Sequence, residues 1–192
     1  MATVIVVGVL SFGASATEPT QQQYFDSDPI LIKLRPEGKA GRGYKLIYFI
    51  DAPLDVVWGF KTDFDNQYLL GNRYISSHRL LSHNQNEVVT ENEYSNKPKV
   101  IFKWQTKVFP DQHLLNFVLL NPEECGQKYH HGYIQLEAVG SRTRVTQVAY
   151  FNFFGVSFWV GYPFKGGMSN FLKYTAAWEQ KAVLDSAGNY EE

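Results

Sequence analysis

The sequence Tyr-Lys-Leu-Ile-Tyr-Phe-Ile-Asp-Ala-Pro-Leu-Asp-Val-Val-Trp-Gly-Phe, at residues 44–60, decides the fold. Its first seven residues are mostly β-branched and aromatic, which predicts a strand over 44–50. Pro53 suits the first turn of a helix, and Asp55 lies favourably near the positive end of the helix dipole. Apolar residues then recur at helical spacing, at Val56, Val57, Phe60 and Phe64. A strand that runs directly into a helix with one buried face is therefore predicted.

The region that follows this helix has the pattern of a β-sheet. Short polar turns such as residues 82–86 separate runs of strand-forming residues, and short links favour antiparallel neighbours. The clearest run is 99–108, where one face is apolar and the other mostly polar, so one side of the sheet is buried. The predicted strands are 74–82, 87–95, 98–109, 112–120, 132–139 and 143–154.

An amphipathic helix ends the pattern. It begins after Gly166 and Gly167 and continues to about Leu184. One face carries residues at i, i+3, i+4 spacing, namely Met168, Phe171, Leu172, Thr175 and Trp178. The order of strand, helix, about six strands and long helix predicts an α+β domain, because the apolar face of a single sheet must be covered. We expect one antiparallel sheet of six to seven strands with the C-terminal helix on its apolar face.

The N-terminal residues differ from this domain. Residues 1–16 carry no charge and join an apolar run to Ala14-Ser15-Ala16, the pattern of a secretory signal peptide, although no basic residue follows Met1. Residues 17–42 form a polar lead-in in which Ile30-Leu31-Ile32 adds a short strand. The folded domain is expected at 43–192, and the mature protein in the periplasm or outside the cell.

Composition excludes some functions. Eighteen basic and nineteen acidic residues give a net charge of −1, which lacks the basic excess of nucleic-acid binding proteins. Cys125 is the only cysteine, so no intrachain disulfide can form and the fold must rest on its core. Aromatic residues make up 16% of the chain, more than a small core needs, and we expect some of them to line a cavity.

Several short motifs resemble the START-like superfamily, also called SRPBCC. They are the Ala-Pro-x-x-x-Val-Trp segment at 52–58, Asp63-Phe64 and Tyr68, the strands at 132–137 and 143–146, and Tyr162-Pro163-Phe164 before the last helix. Residues 69–73 depart from the Trp and Pro that the family often carries there. The resemblance implies that residues 43–192 are a ligand-binding domain of helix-grip architecture, a curved antiparallel sheet of six to seven strands around the C-terminal helix. It also implies a deep cavity between sheet and helix that holds a lipid, sterol or polyketide-like molecule. It does not imply a reaction.

The inward faces of one strand and the last helix supply the predicted cavity wall. Pockets are mostly apolar with a few polar groups that orient the ligand, and plain core is the alternative interpretation for each residue. The strand contributes Phe102, Trp104 and Thr106, and the helix contributes Phe171, Thr175 and Trp178. The next strand is ambiguous, since either Asn116 or the row containing Phe117 faces inward; we include Phe117 among the predicted ligand contacts.

The aromatic segment at 155–164 joins the last strand to the last helix. Gly155, Gly161 and Pro163 interrupt any periodicity, which indicates a loop. We expect Phe158, Trp159 and Tyr162 to cap the cavity mouth and contact the ligand. The alternatives are ordinary burial and an exposed patch for transient contact with a membrane or partner.

Catalytic and metal-binding patterns are weak. Residues 123–131 offer carboxylates, a thiol and two imidazoles, but no recognised ligand spacing, so we predict no metal and no cofactor. Conceivable acids or bases are His113, His130, His131, Asp63 and Glu137. None forms a recognisable triad or carboxylate pair. The sequence therefore favours a carrier that transports or sequesters a hydrophobic molecule, with a cyclase or dehydratase acting on a polyketide-like substrate as the alternative.

Overall fold

A computed structural model of the chain describes residues 28–36, 38, 40–95, 97–154 and 167–191. The predicted strand at 44–50 is the second of eight described strands. In chain order these are β1 (Ile30–Leu34), β2 (Arg42–Ile50), β3 (Ile75–Asn84), β4 (Glu87–Tyr94), β5 (Ile101–Phe109), β6 (Leu114–Leu119), β7 (Gln127–Val139) and β8 (Arg142–Phe153). The described helices are α1 (Leu54–Thr62) and α2 (Gly167–Ser186), with short 3-10 turns at 67–71, 110–112 and 187–189.

All eight strands form one antiparallel sheet in the order β1-β2-β8-β7-β6-β5-β4-β3. The predicted count of six to seven strands did not include the predicted short strand at Ile30-Leu31-Ile32, which the structure extends to Leu34 and pairs with β2 as an edge strand. Register shifts interrupt β3 twice and β7 once. Such bulges bend the strand that carries them, which gives the sheet the curvature that a helix-grip fold requires.

The corner between β2 and α1 follows the sequence prediction. Pro53 precedes the first turn of α1 and Asp55 lies within that turn. Thr143, which is fully buried on β8, donates a hydrogen bond of 2.9 Å from Oγ1 to the backbone oxygen of Ala52. Val57 and Phe60 are buried against the main core. The corner is thus fixed by the hydrogen bond from Thr143 and by the burial of Val57 and Phe60.

The main core lies between the inward face of β2, β7 and β8 and the two helices. On α2, the residues at the helical repeat Leu172, Ala176, Glu179 and Val183 are buried, so this stripe faces the sheet. Two smaller apolar clusters lie along β4, β5 and β6. The predicted α+β helix-grip class is confirmed.

Two sequence predictions lie outside the described residues. They are the signal peptide at 1–16 and the aromatic segment at 155–164, which contains Phe158, Trp159 and Tyr162. Within the part of the chain that the structure describes, no helix combines the length and the apolar character needed to cross a membrane.

Candidate functional site

A cavity of about 320 Å³ lies between the inward face of the sheet and α2. This volume is within the range of roughly 300–1,000 Å³ that small-molecule sites occupy. Six residues of the predicted wall line it, namely Trp104, Thr106, Phe117, Phe171, Thr175 and Trp178. Met168 and Leu172, which share the predicted apolar face of α2, line it as well. The helix and the sheet therefore meet across a space rather than in continuous packing.

Phe102 is a correction, because it does not line the cavity. Its side chain has no exposed surface and packs in a separate cluster with Leu119 and Cys125. It shares the inward face of β5 with Trp104, as predicted, but it lies one pair of residues further toward the end of the sheet. Phe102 is therefore core, and its neighbour Trp104 marks the limit of the cavity on this strand.

The ambiguity on β6 is resolved in favour of the row that contains Phe117. Leu115 and Phe117 line the cavity, whereas Asn116 is exposed on the opposite face. Phe117 pairs with Gly132 of β7 across the ladder. Asn116 is thus excluded as a polar contact for a ligand inside the cavity.

Two small residues lie at the centre of the sheet, beneath the aromatic side chains of the cavity wall. Gly132 on β7 pairs with Ala149 on β8, and Ala149 lines the cavity. A Cβ atom at Gly132 would lie 1.9 Å from the Val148 backbone oxygen and 2.7 Å from Cζ of Phe117. The ring of Phe117 therefore lies directly over the glycine, a position that a side chain would block.

His130 lies in the cavity wall two residues before this glycine, and aromatic rings surround it. The ring centroids of Trp104, Phe151 and Phe117 lie 4.8, 5.1 and 6.2 Å from that of the imidazole. Burial, reinforced by the charge of His131, lowers the pKa of His130 to about 3. The imidazole is therefore neutral at physiological pH. Its Nδ1 is buried and has no hydrogen-bond partner in the structure.

Tyr94 and Trp104 lie at the same end of the cavity. Burial raises the pKa of Tyr94 to about 12, although interactions with Asn92 and Trp104 oppose the rise. Nε1 of Trp104 is buried and makes no hydrogen bond of ordinary geometry, so its contact with the Tyr94 hydroxyl is a weak one. This end of the cavity offers neutral polar groups within aromatic surroundings.

The opposite wall contains a buried ion pair that joins three elements. Nζ of Lys61, in the last turn of α1, lies 2.5 Å from Oε2 of Glu179 on α2. The other carboxylate oxygen accepts a hydrogen bond of 2.7 Å from the hydroxyl of Tyr48 on β2. Burial, with the adjacent carboxylate, raises the pKa of Tyr48 well above its usual value. Lys61 and Glu179 line the cavity, and both Glu179 oxygens are already engaged.

Further polar contacts hold the segment after α1 against the sheet. The two ring nitrogens of His78 lie 2.7 Å from Oδ1 of Asn92 and 2.8 Å from the backbone oxygen of Phe64. The Tyr190 hydroxyl donates a hydrogen bond of 2.8 Å to Asp63. Because His78, Asn92, Phe64 and Asp63 all line the cavity, these contacts fix its rim near residues 63–66.

The other candidate acids and bases are not in the cavity. His131 is exposed on the outer face, His113 lies in the turn before β6, and Glu137 pairs with Arg144 across β7 and β8. Only Asp63 and His130 of the predicted set line the cavity. The segment 123–131 is a turn that passes into β7 at Gln127. Among the described residues, no group of three His, Cys, Asp or Glu side chains could hold a metal ion.

Lys61 and Glu179 were missed from the sequence, although each carried a signal. Glu179 lies on the buried stripe of α2 together with Ala176 and Val183, where a charge requires a partner. Lys61 follows Val57 by four residues on the buried side of α1. A charged residue on each of two apolar faces is a pattern that predicts a buried pair.

No family model and no curated protein sequence matches the chain. Solved structures match in fold. The Zhui aromatase/cyclase from Streptomyces sp. R1128 aligns with a TM-score of 0.56 at 15% identity, over 78% of this chain and 95% of that chain. Norcoclaurine synthase from Thalictrum flavum aligns with a TM-score of 0.55 at 9% identity, over 94% of this chain and 99% of that chain. A STAR-related lipid transfer protein from Xanthomonas axonopodis aligns with a TM-score of 0.58 at 12% identity, over 85% of this chain and 95% of that chain. At these identities the similarity establishes a shared fold.

Proposed function

We propose that this chain, which has the helix-grip fold of the START-like superfamily, binds one hydrophobic small molecule between its sheet and α2 and transports or sequesters it. The observation that carries the proposal is the cavity of about 320 Å³. Apolar and aromatic side chains from both sides line it, which is the usual composition of a small-molecule site. Structural neighbours with this fold include a lipid transfer protein and an aromatase/cyclase.

The size of the cavity favours a binding role over simple core packing. Protein interiors are filled to crystal-like density, and a void of this size removes contacts that would otherwise stabilise the fold. Ala149, at the centre of the sheet, lines the cavity, where a larger side chain would fill part of the space. A small residue at this position keeps room for a ligand.

Mass spectrometry of the intact, non-denatured protein after purification from an exporting host tests the proposal. We expect a mass above that of the polypeptide, which disappears on denaturation. Thr106→Trp should abolish the added mass, because Thr106 lines the cavity and a Trp side chain would occupy it. Gln105→Trp, on the opposite face of the same strand, is the matched control. A cavity that extracts nothing from the host and takes up no apolar probe in solution would refute the proposal.

A reaction on a bound polyketide-like substrate is the second candidate. It is favoured by the presence of a carboxylate, Glu179, and an imidazole, His130, in the wall of one cavity. However, each oxygen of Glu179 already accepts a hydrogen bond, one from Tyr48 and the other from Lys61, so this carboxylate is held in a structural ion pair. The geometry therefore supports a carrier better than a general acid–base catalyst.

Export completes the proposal. A signal peptide at 1–16 would place the carrier in the periplasm or outside the cell. N-terminal sequencing of the exported protein should then begin at Thr17, and an intact Met1 in the mature protein would contradict the assignment.

A further inference from the structure

The charges in the cavity wall restrict the ligand, and the inference drawn from them rests on the proposed function. Among the described lining residues, Lys61 is the only cation outside the imidazoles, whereas Asp63 and Glu179 both carry carboxylates. Lys61 is already bound to Glu179. A ligand carboxylate would therefore meet an excess of negative charge and no free cation, and burying an unpaired charge costs several kcal/mol. The wall disfavours an anionic ligand.

His130 is one of the polar groups at the aromatic end of this cavity, together with Tyr94 and Nε1 of Trp104. Its imidazole lies among the rings of Trp104, Phe117 and Phe151, and its Nδ1 is buried without a partner. Most buried polar side-chain atoms in proteins are hydrogen-bonded, so an exception requires an explanation. A phenylalanine or leucine at this point of the inward row would avoid the cost. A ligand that bonds to the imidazole supplies a reason for a histidine here.

The protonation state of the imidazole determines what such a ligand offers. Because the pKa is lowered to about 3, His130 is neutral at physiological pH and has one N–H donor and one bare nitrogen acceptor. A hydroxyl group both donates and accepts, so it can bond to a neutral imidazole in either tautomer. A carbonyl oxygen can bond only to the N–H, and a hydrocarbon can bond to neither.

We propose that His130 is a specificity-determining residue that selects an uncharged apolar ligand carrying a hydroxyl group. The imidazole hydrogen-bonds to this hydroxyl among the aromatic side chains of Trp104, Phe117 and Phe151. The rings contact the apolar body of the ligand and exclude water, and the imidazole orients it. The chemical class is thus a neutral alcohol or phenol rather than a fatty acid or a pure hydrocarbon.

Three probes of one shape test this inference: 2-naphthol, 2-methylnaphthalene and 2-naphthoate. Their dissociation constants are measured by equilibrium dialysis at pH 7 with the full-length protein freed of any bound ligand. One buried neutral hydrogen bond changes affinity by roughly 3- to 10-fold. We expect 2-naphthol to bind more tightly than 2-methylnaphthalene by this factor, and 2-naphthoate to bind most weakly.

Variants then assign the preference to the imidazole. His130→Phe should bring 2-naphthol to the affinity of 2-methylnaphthalene and leave the latter within about twofold. His130→Gln keeps a donor and an acceptor, so it should retain part of the preference even if the Phe variant folds poorly. His131→Gln changes the exposed neighbour on the outer face and should leave the preference intact.

The outcomes separate this inference from the proposed function. If 2-methylnaphthalene binds as tightly as 2-naphthol, or if the preference survives in His130→Phe, the role of His130 is wrong while hydrophobic binding stands. Tightest binding of 2-naphthoate would also overturn it. If no probe binds and no ligand is retained on purification, both the role of His130 and the proposed function fail.

Discussion

The buried imidazole of His130 should make the stability of this protein depend on pH. Its pKa is lowered from 6.5 to about 3 in the folded chain, whereas in the unfolded chain it returns to about 6.5. Between these values the unfolded state binds more protons than the folded state. The free energy of unfolding therefore falls as the pH is lowered from 6.5 toward 3, and above pH 6.5 the imidazole contributes no pH dependence.

The size of this effect follows from the shift. Each pKa unit corresponds to about 1.4 kcal/mol, and pH 5 lies about 1.5 units below the unfolded value, so the loss between pH 7.5 and pH 5 is about 2 kcal/mol. The rings packed on His130, those of Trp104, Phe117 and Phe151, carry no charge in this range. His131 is a titratable neighbour, and its charge lowers the pKa of His130 in the same direction as burial.

Urea unfolding at pH 7.5 and pH 5 measures the loss directly in wild type, His130→Phe and His130→Gln. Both variants remove the titration, so each should lose about 2 kcal/mol less than wild type between the two pH values, whatever its absolute stability. His83→Gln removes an exposed histidine of β3 and serves as the control. Equal pH dependence in wild type and both His130 variants would show that the imidazole is not held neutral by burial.

Two further changes test the packing around the cavity. Gly132→Ala should destabilise the fold by about 1–3 kcal/mol, because the added Cβ would meet the Val148 oxygen and Phe117. Gly188→Ala is the control, since a Cβ there would have no atom within 4 Å and should leave the stability unchanged. Urea unfolding midpoints measure the difference, and equal midpoints for the two variants would contradict the close approach at Gly132. Glu179→Ala should lower the free energy of unfolding by about 3–5 kcal/mol, because it leaves Lys61 buried without its partner. The double variant Lys61→Met with Glu179→Leu should recover most of this loss. A double variant as unstable as Glu179→Ala would argue against a buried pair.

Sequence patterns predicted the faces of the elements well. Alternation on β5 and helical spacing on α2 placed Trp104, Thr106, Phe171 and Thr175 on facing surfaces, and all four line the cavity. Alternation cannot give the position along a strand at which a cavity ends. That position depends on where α2 crosses the sheet, which is a tertiary property, and for this reason Phe102 was assigned to the wall although it is core.

The polar part of the site was harder to predict. The segment before Gly132 has the composition of a turn, so His130 was considered only as a metal ligand or a base. In the structure β7 already begins at Gln127, and His130 continues the inward row of Gly132, Ile134 and Leu136. The orphaned Nδ1 depends on which rings meet across three strands, and a local pattern does not contain that information.

The hydrogen bonds that hold α2 against the rest of the fold bear on how a bound ligand could leave. Glu179 bonds to Tyr48 and Lys61, and Gln180 donates a hydrogen bond of 2.7 Å to the backbone oxygen of Phe49, so the helix is fastened to the sheet near its middle. The part from Gly167 to Trp178 covers the cavity and spans about 18 Å at 1.5 Å per residue. Leu172 and Ala176 in this part are buried in the main core, and Phe171 and Tyr174 contact the ring of Tyr74. A ligand that leaves beneath α2 would therefore have to break these apolar contacts as well as pass the polar ones near Glu179.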